Sequence, residues 1–246
     1  MLLTPTSTFL LDETNAMPLY MQLVNSIKAA ITTGQLKPGD AVPSERTLMA
    51  MLKISRGTAR KAFQKLLEDG IIIRNQGSGT FVAPHIRQSL PLLESFSEMA
   101  QASGGKPQSE LVGYLRRPST EKERQILQLT DAKCDVVELT RVRKINGIAI
   151  SLQMALIPAS LFNNINELGE SLYLYLADQG APVIRATQRF LAVGADSLPL
   201  RYLNIKENEP LLLVIRTGFS HNQQPVEHTF TWCLNEYYDF TIELHK

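Results

Sequence analysis

PSERTLMAMLKISRGTARKAFQKLLEDGIIIRNQGSGTFV, residues 43–82, reads as helix, tight turn, basic helix and glycine-tipped hairpin without a break. Ser55 stands where its hydroxyl can accept from the free N–H groups of the second helix's first turn. Arg56 and Arg60 leave that same end four residues apart, on one helical face. A guanidinium fork matches the paired acceptors on guanine, and an α-helix fits the major groove, so this spacing suits base reading in a DNA duplex. Ala59, Ala62, Phe63, Leu66 and Leu67 repeat on the opposite side as core. Thr58, Lys61 and Lys65 are left on or beside the exposed face of a helix predicted over 55–69.

Working outward, Ser44 caps a short helix in which Leu48, Met51 and Leu52 face inward and Arg46 points out near its start. Upstream, Pro18 suits the first turn of a helix running to Thr33, with Leu19, Leu23, Ile27, Ala30 and Ile31 at helical spacing and Gly34 ending it. Downstream, Gly70 stops the basic helix, Ile71 to Ile73 form a strand, and Gln76-Gly77-Ser78-Gly79 turns back into Thr80, Phe81 and Val82. Such a hairpin is a wing. Its small tip can lay backbone against phosphates or into a minor groove, although in isolation such a hairpin is more often an ordinary turn.

The 246 residues, with 44% hydrophobic content, suit two domains. The net charge of +1 hides a split: residues 1–84 carry nine Lys or Arg against six Asp or Glu, and residues 85–246 carry sixteen against eighteen. The positive excess therefore lies with the candidate DNA-reading helix. Cys134 and Cys233 are far apart and outside any metal-ligand spacing, and His85, His221, His228 and His245 form no such cluster, so no cofactor or metal is expected. No apolar run approaches the ~18 residues of a membrane span and no export signal opens the chain, which makes the cytoplasm the expected location.

Pro43-Ser44-Glu45-Arg46, Ile54 to Arg60 and Gly77 to Val82 resemble the winged helix-turn-helix of GntR-type bacterial regulators. The resemblance implies that Arg46, Arg56, Arg60 and Gly77 contact DNA, with Ser55, Thr58 and Gln76 as phosphate or neighbouring contacts. Ala59 stands where the family usually has a β-branched residue. The expected division is a flexible N-terminus over 1–16, the winged domain over 17–83, a linker over 84–93 with two prolines, and a second domain over 94–246.

That second half alternates strands and short helices. Strands are expected over 109–117, 136–145, 148–156, 183–193, 211–219, 226–233 and 240–244, with Asn146-Gly147 as a hairpin turn. Helices are expected from Ser119-Thr120, from Ser171-Leu172-Tyr173 and over 197–203, giving an α+β domain on a mainly antiparallel sheet. Ser95-Phe96-Ser97, Arg141-Val142-Arg143, Asn146-Gly147, Ile157-Pro158, Ser171 to Tyr173 and Pro225-Val226-Glu227 leading to Tyr238-Asp239-Phe240 resemble, in this order, the UTRA effector domain of HutC-type GntR regulators, whose architecture is that of chorismate lyase.

The resemblance implies an anion site at Ser95, Phe96 and Ser97, where a helix N-terminus gathers unpaired N–H groups. Arg141 and Arg143 lie at period two on one sheet face and can bond phosphate or carboxylate. Gln153, Tyr173, Arg185, Glu227 and Tyr238 complete the expected effector set. Gln153 replaces a family Glu, and Glu236-Tyr237-Tyr238 replaces an Asp-Arg-Tyr run. Structural roles compete with the functional ones: a helix cap for Ser95, ion pairs with Glu138 or other acids for Arg141 and Arg143, and core packing for Tyr238.

The expected function is a transcriptional repressor that binds a pseudo-palindromic operator as a homodimer. Its DNA affinity would be set by a small anionic metabolite, a phosphorylated amino sugar first and phosphonates, organic acids or fatty acyl species after it. Two readings oppose it: a ligand-free dimeric DNA-binding scaffold, and an enzyme, which the absence of any nucleophile beside a base in sequence disfavours.

Overall fold

The computed structural model describes residues 9, 11–12, 14–75, 78–84, 86–89, 92–131 and 133–244. It divides into two compact units, Met1–His85 and Ile86–Lys246. The first holds α1 (Leu19–Thr32), α2 (Glu45–Leu52), α3 (Arg56–Glu68) and the antiparallel pair β1 (Ile72–Asn75) and β2 (Gly79–Val82). Pro18 takes the N-cap position of α1 rather than the first helical turn, one place earlier than its spacing suggests. Leu23, Val24 and Ile27 of α1 pack with Leu48, Phe63, Leu66 and Ile72 in one apolar core. Lys28 and Lys65 both reach the carboxylate of Asp69, at 2.8 and 2.7 Å, which ties α1 to the end of α3. Lys65 is thereby turned along its own helix instead of standing free on the exposed face.

In the second unit, β3 (Ile86–Ser89) is followed by α4 (Phe96–Ala102), β4 (Pro107–Pro118), α5 (Glu121–Leu127), β5 (Asp135–Ile145), β6 (Ile148–Pro158) and α6 (Leu172–Asp178). Then come β7 (Arg185–Gly194), α7 (Ser197–Tyr202), β8 (Pro210–Phe219), β9 (Pro225–Leu234) and β10 (Tyr238–Thr241). Six strands form one antiparallel sheet in the order β4-β5-β6-β9-β8-β7. Asn146 and Gly147, with φ of 51° and 84°, make the two-residue turn between β5 and β6. The stretch expected as a plain linker, 84–93, carries β3, which pairs in parallel with β10 from Tyr238↔Ile86 to Thr241↔Ser89.

The two sheet faces have different work. Val137 and Leu139 of β5, with Ala155 and Ile157 of β6, bury against Phe162, Leu172, Tyr175 and Leu176. On the other face, Val136 and Leu156 pack with Leu127 of α5. Residues two apart share a face, so Arg141 and Arg143 fall on the side with α6. Glu138 falls on the side with α5, where it accepts from Arg117 at 2.9 Å. The alternative pairing of Glu138 with Arg141 or Arg143 is therefore excluded by the pleat. Among the described residues no helix is long and apolar enough to cross a membrane.

Candidate functional site

In the first unit the two helix starts that carry the candidate reading residues are built alike. Ser44 accepts from the Thr47 N–H and Ser55 from the Thr58 N–H, each at 3.1 Å, so both hydroxyls act as caps. Thr58 is drawn into this cap, its hydroxyl 2.9 Å from that of Ser55. Arg46, Arg56 and Arg60 are exposed and make no ion pair with any described residue. A depression of about 450 Å³ is lined by Arg46 together with Ser44, Glu45, Arg74, Gly79 and Thr80. Arg74, which the spacing of the recognition helix does not point to, crosses from β1 to Glu45 at 3.2 Å. Gln76 and Gly77, expected at the wing tip, lie outside the described residues.

In the second unit the sheet register brings distant residues into rows. Arg141 pairs with Gln153, Gln153 with Thr231, and Thr231 with Val214, across β5, β6, β9 and β8. Two residues along on the same face, Thr229 lies opposite Arg216, and two beyond it Glu227 lies opposite Gly218. A Cβ on Gly218 would sit 2.8 Å from Glu227 Cγ and Oε1, so the missing side chain is what gives the Glu227 carboxyl its place. Over these rows a cavity of about 20 Å³ is lined by Ser95, Phe96, Ser97, Arg143, Gln153, Glu170, Ser171, Leu172, Tyr173, Arg216, Glu227 and Thr229. A second, of about 40 Å³, shares Phe96, Arg143, Gln153, Arg216 and Thr229 and adds Met99, Tyr238 and Phe240.

Guanidinium groups dominate this face. Arg141 and Arg143 are 1% and 4% exposed, while Glu227 is the buried carboxyl that faces them, at 1%. Both arginines donate to Gln153 Oε1, Arg141 Nη2 at 3.0 Å and Arg143 Nη2 at 2.5 Å. Arg143 Nη1 also donates to the Ser109 hydroxyl and the Glu170 carbonyl, at 2.5 and 3.2 Å, and its head lies 5.1 Å from the centre of the Phe96 ring. Arg141 Nε and Nη1, Arg143 Nε and Ser97 Oγ are buried with no hydrogen-bond partner among the described residues. Unpaired buried donors are costly, and two of the residues that carry them, Arg143 and Ser97, line one cavity.

Burial pushes Arg143 down to about 10, and burial together with Arg143 pushes Arg141 well below the usual guanidinium value. Glu227 is pushed up by burial, against the pull of Arg216 and the Tyr173 hydroxyl. Burial and the neighbouring Glu227 hold the Tyr173 phenol above its ordinary value. Burial penalises the charged form of both arginines and of Glu227, so the face favours a negative partner that offsets the desolvation of the guanidiniums.

The expected effector residues are not all brought together. Ser95, Phe96, Ser97, Arg143, Gln153, Tyr173 and Glu227 line the first cavity, and Tyr238 lines the second, its hydroxyl 2.8 Å from that of Ser151. Ser95 also caps α4: it accepts from the Glu98 N–H, and Glu98 accepts from the Ser95 N–H. Arg141 stands behind Gln153 instead of in the wall. Arg185 is a correction: it is exposed at the start of β7, with its head 3.9 Å from the centre of the Phe219 ring, and it lines neither cavity. Arg216 was missed, although a single charge inside the apolar run LLLVIRTGF is a signal that could have found it. Among the described residues no His, Cys, Asp or Glu cluster is placed to hold a metal ion.

Comparison with known proteins falls along the same division. Residues 19–82 match the family described as bacterial regulatory proteins, gntR family, and residues 102–239 match the UTRA domain. The HTH-type transcriptional regulator GgaR of Escherichia coli (strain K12) is 30% identical over 226 residues, which cover 92% of this chain and 91% of that one. The HTH-type transcriptional repressor NagR of Bacillus subtilis (strain 168) is 31% identical over 234 residues, covering 94% and 96%. The crystal structure of PhnF from Mycobacterium smegmatis has the same fold, with a TM-score of 0.62 at 24% identity over 93% of this chain and 99% of that one.

Proposed function

We propose a mode of action for this chain, which belongs to the GntR family of bacterial regulatory proteins, carries a UTRA domain and is a transcriptional regulator rather than an enzyme. It is a repressor that binds a pseudo-palindromic operator as a homodimer and leaves it when a small anionic metabolite enters the second unit. Residues 17–83 read the duplex: Arg56 and Arg60 address base edges, while Arg46, Ser55 and Thr58 position the helix on phosphates. Residues 94–246 bind the effector and join the two copies. Half-sites about one helical turn apart then match the two-fold symmetry.

The observation that carries the effector reading is the buried pair Arg141 and Arg143, with three guanidinium N–H positions and the Ser97 hydroxyl left without partners among the described residues. Phosphate oxygens are suited to Arg143 and Ser97, which line the first cavity, and Arg141 behind them adds positive charge. At seven residues, α4 is short, so the guanidiniums supply most of the attraction and its N-terminal dipole little. A phosphorylated amino sugar fits best, since Thr229, Tyr173, Glu227 and Gln153 offer hydroxyl, carboxyl and amide partners for the ring.

Cavities of about 20 and 40 Å³ hold water molecules, not a sugar ring. The effector must therefore widen this face by moving the residues shared between the two cavities. Occupied and closed states exclude each other, which is the unequal affinity that any allosteric ligand needs. The test is thermal: a sugar phosphate raises the melting temperature of the native chain by mass action and the neutral parent sugar does not. Arg143→Ala abolishes that rise while leaving DNA binding intact. A rise of equal size in Arg143→Ala would remove the anion site from this face.

A further inference from the structure

Three arginines meet on this sheet face, and they differ in how their hydrogen bonds are spent. Arg141 and Arg143 keep unpartnered N–H groups among the described residues. Arg216 is engaged on every side. Its Nε and Nη2 donate to Gln188 Oε1 on β7, at 3.1 and 2.9 Å. Its Nη1 donates to the Glu94 carbonyl at 3.1 Å and to the Tyr173 hydroxyl of α6 at 2.9 Å. Tyr173 in turn donates to Glu227 on β9 at 2.9 Å. A single guanidinium thus fastens two strands, a helix and the residue just before the Ser95 cap. It also lines both cavities. Glu94 belongs to the stretch through which the chain passes from β3 into α4.

We propose that Arg216 is the positioning residue through which occupancy of the cavity is felt at Glu94. A ligand oxygen bonded to Arg216 Nη1 displaces the Glu94 carbonyl, and the backbone leading back to β3 is released. The proposal rests on the anion reading of this cavity. An anionic acceptor outcompetes a neutral carbonyl because charge-assisted hydrogen bonds are roughly twice as strong. The fork is essential: it holds Gln188 with one edge while exchanging partners with the other, which an ammonium group cannot do.

The experiment is hydrogen exchange on the full chain with inorganic phosphate as the probe, read at residues 86–89 and 92–94, with melting temperature measured in parallel. In the native chain phosphate raises the melting temperature and speeds exchange there by about 5-fold or more, the lower end of usual allosteric coupling. In Arg216→Lys exchange at these residues is already fast and no longer responds to phosphate, while a reduced rise in melting temperature persists through Arg143. A purely structural Arg216 would leave the phosphate response in place, so a response in Arg216→Lys equal to the native one overturns the proposal. So does a native chain that gains stability with no change at 86–94. A native chain whose melting temperature ignores phosphate counts against the anion site itself, and the role of Arg216 falls with it. If Arg216→Lys does not fold, Gln188→Leu frees one edge of the fork. The phosphate needed for half-maximal exchange then drops about 5-fold or more, and an unchanged midpoint overturns the proposal.

Discussion

Arg56 and Arg60 stand exposed at the head of α3, and Arg141 and Arg143 lie at 1% and 4% exposure on β5. The same side chain is put to opposite uses. An exposed guanidinium stays hydrated and meets DNA by exchanging counterions, so its contribution is screened by salt and depends on geometry. A buried one has already lost its hydration, and a matching anion relieves that cost, so its contribution resists salt and depends on charge. Under the proposed function, one unit finds a polyanion quickly and the other retains a particular small anion.

The largest expected effect comes from the exposed set. The double variant Arg56→Ala, Arg60→Ala loses about 1–3 kcal/mol of preference per bidentate contact when operator and random duplex are compared at one salt concentration. Retained preference in that variant breaks the comparison at its DNA end. In the buried set, Gly218→Ala places a methyl 2.8 Å from Glu227 and from Val183 Cγ1. Crowding of this kind costs about 1–3 kcal/mol of stability by denaturant unfolding, with a weakened phosphate response beside it. A fully native response would show that the place of Glu227 does not matter.

A smaller effect concerns a structural ion pair. Arg117 binds Glu123 through both ends of its fork, at 2.8 and 2.7 Å, and holds it down to about 2 from an ordinary 4.5. A depressed carboxyl stabilises the fold above its unfolded value, and that stabilisation disappears as pH falls through the folded one. Glu123→Gln therefore costs about 1–2 kcal/mol at pH 7, a difference that fades between about pH 4.5 and 2. A gap that persists at pH 2 contradicts the pairing. Smallest is Arg185→Ala, which gives up a cation–π contact of about 0.5–1 kcal/mol and leaves the phosphate response unchanged. A blunted response returns Arg185 to the cavity.

What could be read from the sequence follows the range of the interactions. Ser44, Ser55, Thr120 and Ser171 cap helices within three residues of themselves, and Asn146-Gly147 turns a hairpin by its own backbone preference, so all of them show in a short window. The parallel pairing of Ile86–Ser89 with Tyr238–Thr241 joins opposite ends of the unit, and no local pattern announces it. The wall of the cavity is of the same kind. Arg216 meets Gln188 through the β7–β8 register, and Glu94 and Tyr173 only because the stretch before α4 and helix α6 are folded onto that strand. Arg185 shows the reverse: it is in the expected effector set, but it stacks on the Phe219 ring and lines neither cavity.

In the proposed function an exposed reader of DNA and a buried detector of anions work as one switch. Its most direct test is fluorescence anisotropy of a duplex, selected from genomic fragments by the protein, titrated with phosphorylated amino sugars and with the same sugars lacking phosphate. Release is expected from at least one phosphorylated member and not from its neutral parent, and it is lost in Arg143→Ala. A complex that ignores every phosphorylated member, or that yields equally to the neutral sugars, contradicts it.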